Sequence, residues 1–560
     1  MIEPTDAQRR VKEHPSLSLL LVAPAGCGKT ESLAMRIAGL IDSGRVTPPR
    51  RVLATTFTNR AKDNLRRRLN DHIPAAVLRS HITVVNFHGL ATRIIRAHAA
   101  TIGLDPGITL PNGDWVKEQC HLRGLNHSVI ERVERNFRTV KQQPLDDRAV
   151  AEALQAQGAT IAYQIEQKRI TENRATYDDL LRHAELILSI DGVADLYRNH
   201  FAAVIVDEYQ DLTAQQLRVL TRIGQDRITF AGDLGQGIYG FTGAQPTNTD
   251  AVIRQTCSEI VELTESHRSS PAVLAMVNAM NTVTGGTDLH CAKPHAWPGG
   301  GLAGMVTFTD ETHEASWITK MCAYIHGAAP THRIGIIARI KSRLRFVDRA
   351  LEQTGLSTHR WEDGLLDTDT AVIVKSMLTR LDTDALESTP DPLSYLREAA
   401  GADTIDEPDT RRALTDALTW VLDRVSEGSQ PDELIKRIKI GNDNTLLNAA
   451  GVHLLSGHVG KGQQFDWVVI VGAEDGTQPF FRAETDTELL EEARIMSVMI
   501  SRARHGILVT NALNFPTVSG YPRSRDPSPY LATLATATPL SEHAAVSWLK
   551  GAPWDQLSTC

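Results

Sequence analysis

The stretch Ala23-Pro-Ala-Gly-Cys-Gly-Lys-Thr30 decides the fold of this chain. It follows the apolar run Leu19 to Val22 and precedes a helical pattern over residues 31–40. A strand, a glycine-rich loop and a helix in this order are typical of nucleoside triphosphate sites. The glycines let backbone N–H groups close around phosphate oxygens at a helix N-terminus that already favours anions. The sequence therefore predicts an α/β fold with a triphosphate site at this loop.

The side chains of the loop have distinct expected roles. Lys29 is expected to reach the β- and γ-phosphates of ATP, and the Thr30 hydroxyl is expected to ligate Mg²⁺. The strict pattern begins with glycine, whereas this loop begins with Ala23. The whole set expected to contact the triphosphate is Ala25, Gly26, Cys27, Gly28, Lys29 and Thr30. Alone, the loop indicates only that a nucleotide binds.

Composition indicates a globular protein of several domains. The 560 residues exceed the usual domain size of about 100–200 residues. No apolar run approaches the length of a bilayer span, so we expect no membrane partner. The six cysteines are scattered without a Cys-x2-Cys pair, which argues against a zinc ribbon or a disulfide framework. This cysteine pattern favours a reducing, cytoplasmic location.

Charge is distributed unevenly along the chain. The net charge is −8, but residues 50–70 carry +6 and residues 337–349 carry +4. Such basic runs either meet a phosphate backbone or form solvated helix faces. Residues 361–410 carry thirteen acids and three bases, so this segment should be repelled by nucleic acid. It is expected to dock a basic partner, to regulate the chain or to remain a solvated helical domain.

Strand-like apolar runs fall into two groups, which predict two cores with parallel sheets flanked by helices. The first group is 19–22, 52–56, 204–206, 228–231 and 260–263, and the second is 334–338, 467–471 and 507–510. Helical patterns interrupt both groups. We expect a first core over 1–90 and 196–265 with a helical insertion over 91–195. We expect a second core over 266–354 and 451–560 with a short acidic helical insertion over 355–450.

A second chemical signal is the stretch Val204-Ile-Val-Asp-Glu-Tyr-Gln-Asp211. An apolar strand here ends in adjacent carboxylates at the edge where open α/β sheets bind ligands. Asp207 is expected to hold Mg²⁺, and Glu208 to orient and deprotonate the attacking water. Together with the loop, this pair predicts a P-loop NTPase.

Four further segments narrow the prediction to one family. They are Arg51-Val-Leu-Ala-Thr-Thr-Phe-Thr-Asn-Arg-Ala61, Gly232-Asp-Leu-Gly-Gln-Gly-Ile-Tyr-Gly-Phe-Thr-Gly-Ala244, Glu265-Ser-His-Arg-Ser-Ser-Pro271 and Glu491-Glu-Ala-Arg-Ile-Met-Ser-Val-Met-Ile-Ser-Arg-Ala-Arg504. With the carboxylate stretch, their order resembles the motifs of the UvrD/Rep/PcrA family of superfamily 1 helicases. The resemblance runs from Gln8 to Arg504 and implies two RecA-like P-loop NTPase cores.

The resemblance implies further residues of the ATP site. Gln8 matches the residue that reads the adenine edge, and Gln236 matches the glutamine that senses the γ-phosphate. Arg268 and Arg502 match two arginines that reach the γ-phosphate from the second core. Among the matched positions that depart from the family are Thr242 for an arginine, His267 for the tyrosine that stacks on adenine, and Gln464 for the glutamate that contacts the ribose.

The resemblance also implies contacts to single-stranded DNA. Phe57 matches an aromatic residue that packs against the strand, and Tyr239 and Phe241 match a pair on which bases stack. Base stacking on aromatic rings tolerates any sequence. The glycines around Tyr239 favour an exposed loop. Polar and charged DNA contacts are expected from Asn59, His88, Arg339, His458 and Lys461.

These observations predict an ATP-dependent translocase and helicase on single-stranded or tailed duplex DNA, moving 3′ to 5′ by resemblance. The alternative is a DNA-activated ATPase subunit of a repair or anti-phage defence complex, which regulates a nuclease partner with little processive unwinding. The short acidic insertion and Thr242 motivate the alternative. A strand-displacement assay with the chain alone would separate the two.

Overall fold

Six strands form the sheet of the first core, and three of them precede the first insertion. The structure is a computed structural model that describes residues 4–57, 59–111, 115–361, 365–366, 368–402, 408–426, 429–440, 449–459, 462–515, 523–537 and 541–557. The first elements are α1 (Asp6–Glu13), β1 (Leu19–Val22), α2 (Lys29–Asp42), β2 (Arg51–Thr56), α3 (Asn59–His72), α4 (Ala75–His81), β3 (Ile82–Asn86) and α5 (Phe87–His98).

The first insertion consists of helices with a small apolar core of their own. They are α6 (Trp115–His121), α7 (His127–Lys141), α8 (Asp147–Ala156), α9 (Thr160–Thr171), α10 (Tyr177–Leu188) and α11 (Asp191–His200). Phe137, Val150 and Ile165 lie in the apolar core of this insertion. Helix α10 packs against α5 and so attaches the insertion to the first core.

The remaining strands of the first core bring three loops to one edge of the sheet. The elements are β4 (Phe201–Asp207), α12 (Ala214–Gly224), β5 (Ile228–Gly232), α13 (Pro246–Thr256) and β6 (Glu259–Glu262). The strand order is β3-β2-β4-β5-β1-β6, and all pairs are parallel. Strands β4, β5 and β1 are neighbours, so the loops that follow them meet at one carboxyl edge.

The second core begins directly after this sheet. Its first elements are β7 (Glu265–Ser266), α14 (Pro271–Thr284), β8 (His290–Cys291), β9 (Leu302–Asp310), α15 (Glu311–Ala328), β10 (Arg333–Ala338), α16 (Arg345–Leu351) and β11 (Thr358–Arg360). Helix α15 packs against β9 and covers one face of the sheet.

The second insertion is mainly helical and touches the first. Its elements are β12 (Leu365–Leu366), α17 (Thr368–Leu378), α18 (Thr383–Ser388), α19 (Pro392–Ala399), α20 (Pro408–Ser426), α21 (Pro431–Arg437) and β13 (Lys439–Ile440). Leu396, Leu414 and Leu418 lie in its own apolar core. An ion pair of 2.8 Å between Arg397 and Glu118 joins the two insertions.

The chain then returns to complete the second sheet. The last elements are β14 (Gly451–Ser456), β15 (Phe465–Val471), α22 (Asp486–Ile500), β16 (Ala503–Phe515), β17 (Arg523–Ser524), α23 (Tyr530–Leu534), α24 (Glu542–Gly551) and α25 (Trp554–Leu557). The order is β11-β14-β10-β15-β16-β17, with β9 also on β16, and only the β16–β17 pair is antiparallel. Two parallel α/β cores with helical insertions confirm the predicted fold class.

Five strands of the two sheets were not predicted, namely β3, β9, β11, β14 and β17. Strand β11 lies inside the range 355–450 that we expected for the insertion, yet it pairs with β14 in the second sheet. Its three residues are Thr358, His359 and Arg360, and such a short polar edge strand leaves no apolar pattern in the sequence. The two cores share an apolar cluster, because Ile238 of the first lies in the same cluster as Met276 and Met496 of the second.

Candidate functional site

The phosphate loop lies between the end of β1 and the start of α2. The backbone N–H of Ala23 donates to the Gly232 carbonyl, and the Ser32 N–H donates to the Gly28 carbonyl. Gly28 caps α2 with φ of 79°, a conformation that costs glycine little. Thr30 lies in the first turn of α2. The helix thus presents its positive N-terminus at the predicted triphosphate position.

Lys29 lies directly against the predicted carboxylates. Its Nζ is 2.5 Å from a Glu208 oxygen and 3.6 Å from an Asp207 oxygen. Although burial opposes the charged form, Glu208 and Asp207 raise the pKa of Lys29 above its ordinary value. Burial raises the pKa of Asp207, and Lys29 partly opposes that shift. The structure therefore brings together one cation and two acids predicted from separate motifs.

Glu208 has an unusual backbone that aims its side chain into the site. Its φ is 56° and its ψ is 47°, a left-handed conformation that non-glycine residues adopt at a cost of about 1–3 kcal/mol and mostly at functional positions. Its carboxylate accepts a hydrogen bond of 2.6 Å from Gln210 Nε2. A strained acid beside a buried acid fits the division into a base and a metal ligand.

A chain of hydrogen bonds links Glu208 to the predicted γ-phosphate sensor. The side-chain Oε1 of Gln210 accepts from the Asp233 N–H at 3.1 Å, and Asp233 Oδ2 accepts from Gln236 Nε2 at 2.8 Å. Gln210 and Asp233 were not nominated from the sequence, although both stand in the quoted stretches. What could have identified them is that they follow the ends of β4 and β5, two strands that are adjacent in the sheet.

Arg268 approaches the phosphate loop from the opposite side. A Cβ placed on Gly26, whose φ is 88°, would lie 2.6 Å from both Arg268 Cβ and Ser266 Oγ. His267, which precedes Arg268, donates its backbone N–H to the Gly26 carbonyl at 3.0 Å. The His267 side chain is exposed. Glycine at position 26 is therefore required by close packing as well as by its backbone angle.

Arg502 is a buried cation with an unsatisfied donor. Its Nε donates to the Val498 carbonyl at 2.9 Å, and its Nη1 reaches the Gln463 carbonyl at 3.5 Å. Within the part of the chain that the structure describes, Nη2 has no hydrogen-bond acceptor. Burial and the Arg268 charge lower the pKa of Arg502 to about 9. Two mutually repelling arginines beside the loop form a site that fits an anionic phosphate.

The expected base and ribose contacts lie at the margin of this site. A Cβ on Gly28 would lie 2.6 Å from Gln8 Nε2, so Gln8 stands beside the loop. Gln464 is exposed and precedes Phe465, whose N–H donates to the Arg502 carbonyl at 2.9 Å. Cys27 is buried, and burial raises the pKa of its thiol to about 12, so the thiol stays protonated.

The residues expected to contact DNA differ in how exposed they are, and some lie outside the described residues. Phe57 is partly buried with its ring 5.3 Å from that of Phe87, and the His88 ring is 5.3 Å from that of Tyr177. Tyr239 is also partly buried and packs against the apolar cluster, whereas we expected an exposed loop. Lys461 and the side chains of Asn59 and Phe241 lie outside the described residues.

Arg339 has a protein partner in this structure. Its guanidinium donates to both Glu492 oxygens, with distances between 2.6 and 3.0 Å. Arg339 and His458 line a cavity of about 980 Å³ between residues 237–248 of the first core and α22. The positive charge predicted at Arg339 is therefore largely neutralised by an acid of the same core.

Among the residues that the structure describes, no helix combines the length and apolar character needed to cross a bilayer.

Comparisons with known proteins extend across both cores. Residues 4–256 match the model of the UvrD/REP helicase N-terminal domain, and residues 412–514 match the model of the UvrD-like helicase C-terminal domain. The chain is 28% identical to ATP-dependent DNA helicase UvrD2 of Mycobacterium tuberculosis, over 95% of this chain and 82% of the relative. It is 25% identical to UvrD1 of the same species, over 90% and 82% of the two chains. It is also 25% identical to ATP-dependent DNA helicase PcrA of Leuconostoc citreum, over 92% and 83%.

Proposed function

The chain belongs to the UvrD/Rep/PcrA-like superfamily 1 helicases, and from that premise we propose that it translocates 3′ to 5′ on single-stranded DNA. ATP hydrolysis at the interface of its two cores drives this movement and the unwinding of tailed duplexes. The observation that carries the proposal is Arg502, a buried guanidinium with an unpaired Nη2 beside Arg268. A γ-phosphate supplies the acceptor and the negative charge that this arrangement needs.

Residues of the first core prepare the reaction. Lys29 binds the phosphates, and Glu208 accepts a proton from the attacking water. Thr30 and Asp207 would hold Mg²⁺, because oxygen ligands at this position suit a hard cation. When bound, the ion neutralises charge on the phosphates. Gln236 would sense the γ-phosphate, and its hydrogen bond to Asp233 joins it to the Gln210–Glu208 chain.

Residues of the second core make hydrolysis depend on closure. Arg268 and Arg502 stabilise charge that develops on the transferring phosphoryl group. Because they come from a different core than Lys29, the complete charge set exists only when the cores are together. Repeated closing and opening would move DNA past Phe57, Tyr239 and Phe241, and stacking on aromatic rings lets this step proceed on any base sequence.

The test is strand displacement by the chain alone. We expect unwinding of a duplex with a 3′ single-stranded tail, no unwinding of the 5′-tailed duplex, and loss of activity in Lys29→Ala. Single-stranded DNA should stimulate ATP hydrolysis strongly. An ATPase that DNA does not stimulate would contradict the proposal, and unwinding from the 5′ tail would contradict the direction.

The alternative is a DNA-activated ATPase subunit that regulates a nuclease partner in repair or defence. The acidic second insertion favours it, since residues 361–410 carry thirteen acids and three bases. The Arg397–Glu118 ion pair holds this insertion against the first one. DNA-stimulated ATPase without strand displacement on either tailed duplex would favour this alternative.

A further inference from the structure

Helix α22 connects a loop of the first core to the second-core arginine. Glu491 lies in its first half, and Arg502 follows two residues after its end at Ile500. At about 1.5 Å per residue, the segment from Glu491 to Arg502 spans about 16 Å. Arg494, one turn beyond Glu491, donates to Thr247 Oγ1 of the first core at 3.1 Å. The helix therefore contacts the first core at points remote from its arginine.

The contact of Glu491 is with the backbone of the predicted DNA-stacking loop. Its Oε1 accepts a hydrogen bond of 3.0 Å from the Gly240 N–H. A Cβ on Gly240 would lie 2.2 Å from Glu491 Oε2, so only glycine allows this approach. Gly240 stands between Tyr239 and Phe241, the pair expected to stack on bases. A carboxylate bonded to a backbone N–H fixes the position of the turn more strongly than a neutral acceptor would.

The rest of the turn is also fixed through its backbone. Thr242 Oγ1 donates to the Tyr239 carbonyl at 2.7 Å, and Gln142 Nε2 donates to the Thr242 carbonyl at 3.3 Å. Thr242 stands where the family resemblance expects an arginine, and its hydroxyl here donates within the same turn. Among the described hydrogen bonds of this turn, the one from Gly240 to Glu491 reaches the second core, and Tyr239 also lies close enough to Arg502 for their charges to interact.

We propose that Glu491 is a positioning residue that couples the 239–243 loop to Arg502. Movement of the loop on DNA is passed to α22 through the Gly240–Glu491 hydrogen bond, and the helix carries it to the arginine. The inference rests on the proposed function. The neighbouring Glu492 has a different role, because it is bonded to Arg339 within the second core.

The experiment compares the full chain with Glu491→Ala, Glu491→Gln and a control, Asp486→Asn. The control removes one carboxylate from the exposed first turn of the same helix. ATP hydrolysis is measured with and without a single-stranded oligonucleotide, and kcat and the KM for ATP are determined separately. We expect Glu491→Ala to lower the DNA-stimulated kcat about tenfold, the effect of losing one charge-assisted hydrogen bond. Its DNA-free rate and its KM for ATP should stay close to wild type.

Glu491→Gln should recover most of the stimulated rate, because its amide oxygen can accept the same hydrogen bond. The inference is overturned if Glu491→Ala is stimulated like wild type, or if its DNA-free rate falls in parallel, since a parallel fall indicates a purely structural role. It is also overturned if Glu491→Gln is as defective as Glu491→Ala, or if Asp486→Asn is equally defective. A wild-type chain without DNA stimulation would instead overturn the proposed function, and this inference with it.

Discussion

Replacing Glu208 by glutamine separates the two tasks of the first-core acids. The amide keeps the shape of the side chain and removes its charge and its basicity. In the native chain this carboxylate is 2.5 Å from Lys29 Nζ and 2.6 Å from Gln210 Nε2. The amide oxygen of the variant can still accept one of these hydrogen bonds. Phosphate binding by the loop should therefore survive while proton abstraction is lost.

The substitution should lower kcat but should slightly increase the affinity for ATP. A positioned general base contributes about 10²–10⁴-fold, so kcat should fall by that factor, equivalent to about 3–5 kcal/mol of activation free energy. ATP binding should become slightly tighter, because Lys29 no longer has to leave an ion pair with position 208. The Glu208 side chain is 27% exposed, so this partly screened pair is worth no more than about 1 kcal/mol, or about fivefold in Kd.

The assay is single-turnover hydrolysis of radiolabelled ATP beside binding of a fluorescent ATP analogue. Both are run at saturating single-stranded DNA. Glu484→Gln is the matched control, because it makes the same chemical change at an exposed residue outside the site. A variant that retains more than about a tenth of the wild-type rate refutes the assignment of Glu208 as the base. ATP binding weakened tenfold would instead show that the acid is needed to organise the loop.

Three further outcomes are expected. Arg502→Ala should lower DNA-stimulated kcat about 10³-fold or more in single-turnover hydrolysis while DNA binding by fluorescence anisotropy stays unchanged; retained turnover would exclude a catalytic arginine there. Gly26→Ala should weaken binding of the ATP analogue, because its Cβ would lie 2.6 Å from Arg268 Cβ; Gly44→Ala is the control, since its Cβ would meet no described atom within 4 Å. Asp179→Asn should lower the free energy of unfolding of the first insertion by about 3–5 kcal/mol, as measured by chemical denaturation at pH 7. Burial opposes ionisation, yet the surrounding cations hold the pKa of Asp179 well below its ordinary value, so its stabilisation is complete above about pH 4 and is lost as the pH falls toward the folded pKa. The variant should therefore show a smaller loss of stability on acidification, and an equal loss would contradict this origin.

The proximity of Lys29 to Asp207 and Glu208 could be predicted because both segments come at the end of an apolar run. Lys29 comes after β1 and Asp207 ends β4, and parallel strands place such positions at one edge. The hydrogen bond between Gln210 and the backbone of Asp233 depends on the adjacency of β4 and β5. Strand order is not visible in a list of apolar runs, so these two residues were missed.

The charges on the second core were harder to predict than those on the first. Arg339 stands in a basic run that suggested a DNA contact. Its partner Glu492 lies 153 positions away in sequence. Glu492 can neutralise the charge of Arg339 only once α22 packs against the end of β10. Strand β11 likewise depends on a partner far away in sequence. It has no apolar pattern of its own, and it is recognisable as a strand only from its pairing with β14. Local sequence predicts the secondary structure that a segment favours. The Arg339–Glu492 ion pair and the β11–β14 strand pair depend instead on tertiary packing.

The electrostatic balance of the two sides supports the proposal that a triphosphate draws the cores together. On the first core, Lys29 is balanced by Asp207 and Glu208 before any ligand binds. On the second, the described hydrogen bonds of Arg502 go to backbone carbonyls, Arg268 repels its charge and Glu208 attracts it. Burial opposes the charged form of Arg502 even with Glu208 nearby, so under the proposed function a phosphate between the cores would stabilise this arrangement and its departure would destabilise it. Under the proposed function closure would then be sensitive to hydrolysis, since the departing γ-phosphate would take away the negative charge that Arg502 faces.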